Sequence, residues 1–358
     1  MNKPSPGNKP SAAAARFRTE AAKRILVTDG AWGTMIQTFG LAEADYAGTL
    51  GLSHEQKGNN DMLCLTRPDI IEKITQGYLD AGSDIVSTNT FSSTTISQAD
   101  YGAEHLVREL NLAAAGIARR AADAAQAKDG RPRFVAGALG PTNKTLSLSP
   151  DVNDPGFREV DYDQVKDVYT QQIQALLDGG VDFILIETIF DTLNAKAAIM
   201  AVLEESDRRG VEIPIMISMT ITDMSGRNLS GHAIDAFWWA VRHARPLTVG
   251  LNCSFGADLL RPHVQLLSGI ADTLLMSYPN AGLPNELGQY DELPARTGHL
   301  VEEWAKEGLI NVIGGCCGTT PAHIKAMADA VRGYPPRVVP VLPVATRLAG
   351  LDPMILAA

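Results

Sequence analysis

The chain reads as an α/β protein, a single-domain (β/α)8 TIM barrel, and three observations predict it. Eight short apolar, β-branched runs recur along the sequence. Stretches with helical apolar spacing separate them, and the residues of unusual chemistry fall just after the runs end. An open doubly wound sheet shares the alternation. In a barrel, however, all the strand-to-helix loops share one face, where active sites sit.

In order, the strand runs are 25–28 (ILVT), 84–88 (DIVST), 134–139 (FVAGAL), 183–188 (FILIET), 214–220 (PIMISMT), 247–251 (LTVGL), 273–277 (TLLMS) and 311–313 (NVI). Each is too short for a helix and rich in residues that favour a pleated, buried strand. Between them, residues 68–81, 104–127, 163–179, 193–209, 234–244, 258–269 and 297–307 place apolar side chains at helical spacing. Just past the strand ends come Asp29-Gly30, Asn89-Thr90-Phe91, Gly140-Pro141-Thr142-Asn143, Glu187-Thr188, Thr220, Asn252-Cys253, Asn280 and Gly314 to Gly318. Residues 141–161, rich in Ser, Asp, Asn and Pro, predict an irregular loop that serves as a lid or wall of the site.

Outside the barrel, assigned to 23–333, residues 1–22 read as a disordered leader without the apolar core of a signal peptide. Residues 334–358, with five prolines from Pro335 to Pro353, read as an extended tail. At 358 residues, 45% of them hydrophobic, the chain can bury a sizeable core. A net charge of −10 without a Lys/Arg stripe argues against nucleic acid as a partner. No apolar run approaches the ~20 residues of a membrane helix. Four cysteines in a chain of this length make no disulfide framework, so a reducing cytoplasm is the expected compartment.

Three of those cysteines carry the chemistry. Cys316 and Cys317 are adjacent and flanked by glycines, which lets the backbone turn both sulfurs toward one point. Cys253, far upstream, follows another strand. Three thiol ligands with a fourth position open are the pattern of a catalytic zinc site. Coordination deprotonates a thiol outright, so such a site suits alkyl or methyl transfer to sulfur. Cys64, inside Met62-Leu63-Cys64-Leu65, reads as packing. Glu187, at the end of an apolar strand, calls for a cationic partner, because an unpaired buried carboxylate is costly. Asp29 could assist or cap a turn, the Gly30 and Ala31 backbone N–H groups could receive a carboxylate, and Asn280 is either a turn residue or a ligand.

These motifs, with Asp29-Gly30-Ala31-Trp32-Gly33-Thr34, Ser149-Pro150-Asp151-Val152-Asn153-Asp154-Pro155, Asp191-Thr192-Leu193-Asn194-Ala195-Lys196 and Pro279-Asn280-Ala281-Gly282-Leu283-Pro284, occur in one order. That order resembles the homocysteine-binding barrel of cobalamin-dependent methionine synthase, from about residue 24 onward. The resemblance implies that Cys253, Cys316 and Cys317 hold zinc and that homocysteine sulfur takes the open position. It also implies Glu187 as holder of the ammonium and Asn280 as a weak ligand when substrate is absent. The methyl would come from methylcobalamin, ultimately methyltetrahydrofolate, carried by a separate folate/cobalamin-binding subunit. Trp32 departs from the family's usual smaller or unbranched residue. The alternatives are a related barrel using S-methylmethionine or betaine without a corrinoid partner, and a structural-zinc scaffold without catalysis.

Overall fold

Eight parallel strands form the wall of a barrel in the computed structural model, which describes residues 7–357. They are β1 Leu26–Val27, β2 Ile85–Ser87, β3 Phe134–Leu139, β4 Phe183–Ile189, β5 Ile215–Met219, β6 Thr248–Gly256, β7 Leu274–Asn280 and β8 Val312–Ile313. Each pairs with its successor from β2 to β8, and β8 pairs with β1. The seam between β1 and β2 closes by a parallel bridge, Thr28 to Ile85, and by the Asp84 N–H donating to the Val27 carbonyl at 2.7 Å. Asp84 reinforces that seam. Its fully buried carboxylate accepts the Val27 N–H at 3.0 Å and pairs with Arg24 and Arg131.

The strands carry buried residues on both faces, as parallel strands covered on both sides do; all of β3 is buried. Inside, Leu26, Ile85, Ala136, Leu185, Met216 and Val312 pack in one cluster. Outside, helices such as Pro68–Ala81, Val107–Asp129, Tyr162–Asp178, Thr192–Arg209 and Ala257–Ile270 cover the wall. The helical stretches expected from spacing are all present. Spacing did not indicate the short helices Trp32–Gln37, Glu43–Ala47 and Leu63–Thr66, which lengthen the first β/α connection, or the last helix, Pro321–Ala330. No helix among the described residues is long and apolar enough to cross a membrane.

Two expectations about the ends are corrected. Residues 1–6 of the expected disordered leader lie outside the described residues, but Ala12–Ala21 is a helix, with the Ser11 hydroxyl capping Ala14 N–H at 3.1 Å. Its Phe17 is fully buried and packs edge-on against Phe134 (5.4 Å) and Phe183 (5.2 Å), plugging the barrel end opposite the active loops. One aromatic in an Ala-rich run shows no periodicity, so only the docking site makes this helix. The tail carries no helix or strand to residue 344. Beyond it, Ala345–Ala349 (β9) and Pro353–Ala357 (β10) form an antiparallel hairpin. It rests on the helix Ile234–Val241, with the Arg347 guanidinium 4.9 Å from the Trp239 ring, and Arg227 pairs with Asp352.

Candidate metal centre and active site

The three cysteines predicted from sequence do converge. β6 loses register with β7 between Asn252 and Gly256, and Cys253 (φ 62°) and Ser254 (φ 65°) adopt left-handed backbone there. Non-glycine residues in that region cost about 1–3 kcal/mol each and persist only where their surroundings hold them. Here Asn252 does. Its buried amide accepts the Ser218 hydroxyl (2.7 Å) and the Thr188 N–H (3.1 Å), donates to Thr188 Oγ1 (2.8 Å), and points an N–H at Cys316 Sγ (3.8 Å).

Cys316 and Cys317 sit in the loop after β8, held by the Cys316 N–H to the Pro279 carbonyl (2.8 Å) and the Ala281 N–H to the Cys317 carbonyl (2.9 Å). The flanking glycines are sterically required. A Cβ on Gly314 would lie 2.2 Å from Thr28 Cγ2, and one on Gly315 2.3 Å from Thr319 Oγ1. The three Sγ atoms all lie within 4.8 Å of one another, Cys253 and Cys317 at 3.9 Å. Sulfurs about 3.8 Å apart are what tetrahedral zinc with ~2.3 Å bonds needs, and far longer than a disulfide. Among the three, Cys317 is held down to about 3 by the neighbouring Cys253 and Cys316 thiols, while Cys253 and Cys317 push Cys316 up. Only a cation would let all three ionise together. Asn280 ends β7 beside this loop, and its Oδ1 is buried without a hydrogen-bond partner. That orphaned oxygen and the sulfur spacing fit a zinc ion.

The thiols open on a cavity of about 350 Å³ that Asp29 and Glu187 also line. Asp29 is buried, and Oδ2 accepts the Ser87 N–H (2.6 Å) and hydroxyl (2.8 Å). Burial nonetheless pushes its carboxyl up to about 6. Glu187 accepts the Tyr278 hydroxyl at 3.1 Å, and burial, reinforced by the charges of Asp29 and Cys317, pushes it up to about 7. Both groups therefore favour a cationic partner. Gly30 lines the same wall and must be glycine, since a Cβ would meet Thr319 Oγ1 at 2.8 Å and Tyr78 at 2.9 Å.

Residues 26–331 match the family model for homocysteine S-methyltransferase. The chain belongs to that family. Three solved structures of the homocysteine methyltransferase MmuM from Escherichia coli share the fold, each covering 88% of this chain and 99% of that one. The oxidized form has a TM-score of 0.69 at 21% identity, the metallated form 0.68 at 21%, and the apo form 0.63 at 20%.

Within this homocysteine S-methyltransferase family member, two expectations about the site change. The Ala31 N–H donates to Thr319 Oγ1 at 3.1 Å, so it is not free to receive a substrate carboxylate. Residues 141–161 do not line the cavity; Leu146 and Ser147 N–H groups instead bind Asp191 at the start of the helix Thr192–Arg209. Cys64 is buried packing, as its apolar run indicates. Trp32 lines the cavity, its indole N–H donating at 3.0 Å to the same Ser87 hydroxyl that serves Asp29. Sequence reasoning missed Asn252, Tyr278 and Asp61 as parts of the site. Asn252 was visible beside Cys253, but Asp61 lies in the insertion between β1 and β2, far from any strand end.

Proposed function

We propose that this chain is a zinc-dependent homocysteine S-methyltransferase, and the observation that carries the reading is three convergent thiols and two carboxylates opening on one cavity. Cys253, Cys316 and Cys317 would hold the metal, with Asn280 Oδ1 as a weak fourth donor that substrate replaces. Bound zinc would supply a Lewis acid that keeps the incoming homocysteine sulfur ionised and nucleophilic at neutral pH. Glu187 and Asp29 would clasp the substrate ammonium, which fixes the amino acid while its sulfur faces the thiols. Gly30 would let the substrate carboxylate approach the backbone. Tyr278 orients Glu187 through its hydroxyl.

A cavity lined by carboxylates and aromatic rings favours a small, positively charged methyl donor such as S-methylmethionine or betaine. A second reading, methylcobalamin presented by a separate folate/cobalamin-binding protein, draws support from exposed apolar side chains on the active-face loops. Val152 is 94% and Leu287 83% exposed, and Phe91, Leu283 and Leu293 are exposed on the loops after β2 and β7. Incubating the zinc-loaded chain with homocysteine and, in separate arms, S-methylmethionine, betaine or excess methylcobalamin distinguishes them. Methionine from an onium arm alone supports the first donor, and methionine from methylcobalamin alone the second. No methionine in any arm, with zinc bound, would overturn the methyltransferase proposal.

A further inference from the structure

Trp32 and Asp29 both line the cavity, and one hydroxyl joins them. The Trp32 indole N–H donates to Ser87 Oγ at 3.0 Å, and the Ser87 hydroxyl donates in turn to Asp29 Oδ2 at 2.8 Å. The direction of this chain is fixed by the groups in it. An indole nitrogen can only donate, an ionised carboxylate can only accept, and a serine hydroxyl has a single proton to give. Ser87 must therefore point that proton at Asp29.

Oδ2 also accepts the Ser87 backbone N–H at 2.6 Å, so one residue supplies both of its hydrogen bonds. Oδ1 receives a single longer one, from Thr28 Oγ1 at 3.2 Å. Asp29 and Ser87 are both buried, and the two Ser87 bonds oppose the rise that burial imposes on the carboxyl. Oδ1 is left as the less satisfied acceptor. The ring that starts the chain is itself held, because Trp32 opens the helix Trp32–Gln37 and that helix start is pinned on two sides. The Tyr78 hydroxyl donates to the Ala31 carbonyl at 2.7 Å, and the Gly318 N–H donates to Thr34 Oγ1 at 3.0 Å. Gly318 directly follows Cys317, so the frame that holds the indole also holds the thiol loop.

We propose that Trp32 is a positioning residue for the amino-acid substrate: through Ser87 it locks the Asp29 carboxylate with Oδ2 occupied and Oδ1 left for the ammonium of homocysteine. The inference rests on the homocysteine reading above, in which Asp29 and Glu187 share that ammonium. It gives Trp32 a part in choosing between thiols. A thiol that carries an α-ammonium gains from the locked carboxylate, whereas one without it is held only at its sulfur and its own carboxylate. 4-Mercaptobutanoate, which is homocysteine without the amino group, is that second ligand.

Calorimetric titration of the zinc-loaded chain with homocysteine and with 4-mercaptobutanoate tests this through the ratio of the two affinities. A change in packing or pocket size moves both ligands together, while loss of the Trp32-Ser87-Asp29 chain moves homocysteine alone. Trp32→Phe keeps a ring and removes the N–H, and it is expected to narrow the ratio about 3- to 10-fold, as befits one hydrogen bond in a chain that ends on a charge. In a Ser87→Ala background the same change is expected to have no further effect on the ratio, since the link is already cut. Equal weakening of both ligands, an unchanged ratio, or additive effects of W32F and S87A overturn the proposal. Asp29→Asn separates that failure from failure of the homocysteine reading. A ratio that narrows in D29N but not in W32F leaves Asp29 as holder of the ammonium and removes the part of Trp32, whereas a ratio near one in the unaltered chain, or one unchanged in D29N, overturns both. If W32F fails to fold, S87A alone carries the test, with the same narrowing expected and an unchanged ratio counting against the proposal.

Discussion

Asn252 links three strands to a thiol, since its amide reaches Ser218 on β5, Thr188 on β4 and Cys316 after β8. Replacing it with Ala leaves the left-handed Cys253 backbone and the Cys316 sulfur without that brace. Zinc affinity of Asn252→Ala, measured by competition with a chelating dye, is expected to fall about 10- to 100-fold, the usual penalty for losing an outer partner of a metal ligand. The Glu187 carboxyl, pushed up to about 7 by burial first, must be ionised to hold an ammonium. As pH falls through that value the carboxylate gains its proton, the charge is lost, and kcat/KM for homocysteine falls. Glu187→Gln should lower kcat/KM by about 1.5–3 kcal/mol, or roughly 10- to 150-fold, and flatten that acidic limb. A limb that persists in E187Q would place it on another group.

At the scale of elements, the N-terminal helix plugs one end of the barrel, while the C-terminal hairpin packs on the outer helix Ile234–Val241. Phe17→Ala empties a site between Phe134 and Phe183 and should destabilise the fold by about 3–5 kcal/mol, read from the urea midpoint, with zinc stoichiometry unchanged in the folded fraction. Strands were legible where several apolar residues stand together, as in FVAGAL and FILIET. The N-terminal helix was not, because a helix of mostly alanine is specified by the surface it covers rather than by its own pattern. β6 was read to residue 251 but continues to Gly256, since pairing resumes beyond the irregular Asn252-Cys253-Ser254 turn. That irregularity is also what aims the Cys253 sulfur at the other two thiols.

For the whole molecule, metal and fold are expected to be separable. The barrel has its own core, from Leu26 around to Ile313, and the thiols sit at one rim. Chelating zinc should abolish methyl transfer yet keep the far-UV circular dichroism and a cooperative melt, at a Tm lowered by the mass action of the lost ion. An unfolded spectrum after chelation would make the ion structural instead. The cavity's excess of carboxylates is likewise a property of the assembled barrel, since Asp29, Glu187 and Asp61 come from three distant segments.

By itself the sequence determined the barrel, the three thiols, Glu187 and Asp29, because periodicity, glycine-flanked cysteines and charges at strand ends are local signals. Tertiary structure alone decided that Ala31 is already hydrogen-bonded, that the long loop after β3 does not line the site, and that Phe17 plugs the far end. It also decided that Asp61 shares the cavity. The physical reason is closure. Curling eight strands into a ring brings together side chains whose separation along the chain carries no record of their distance in space.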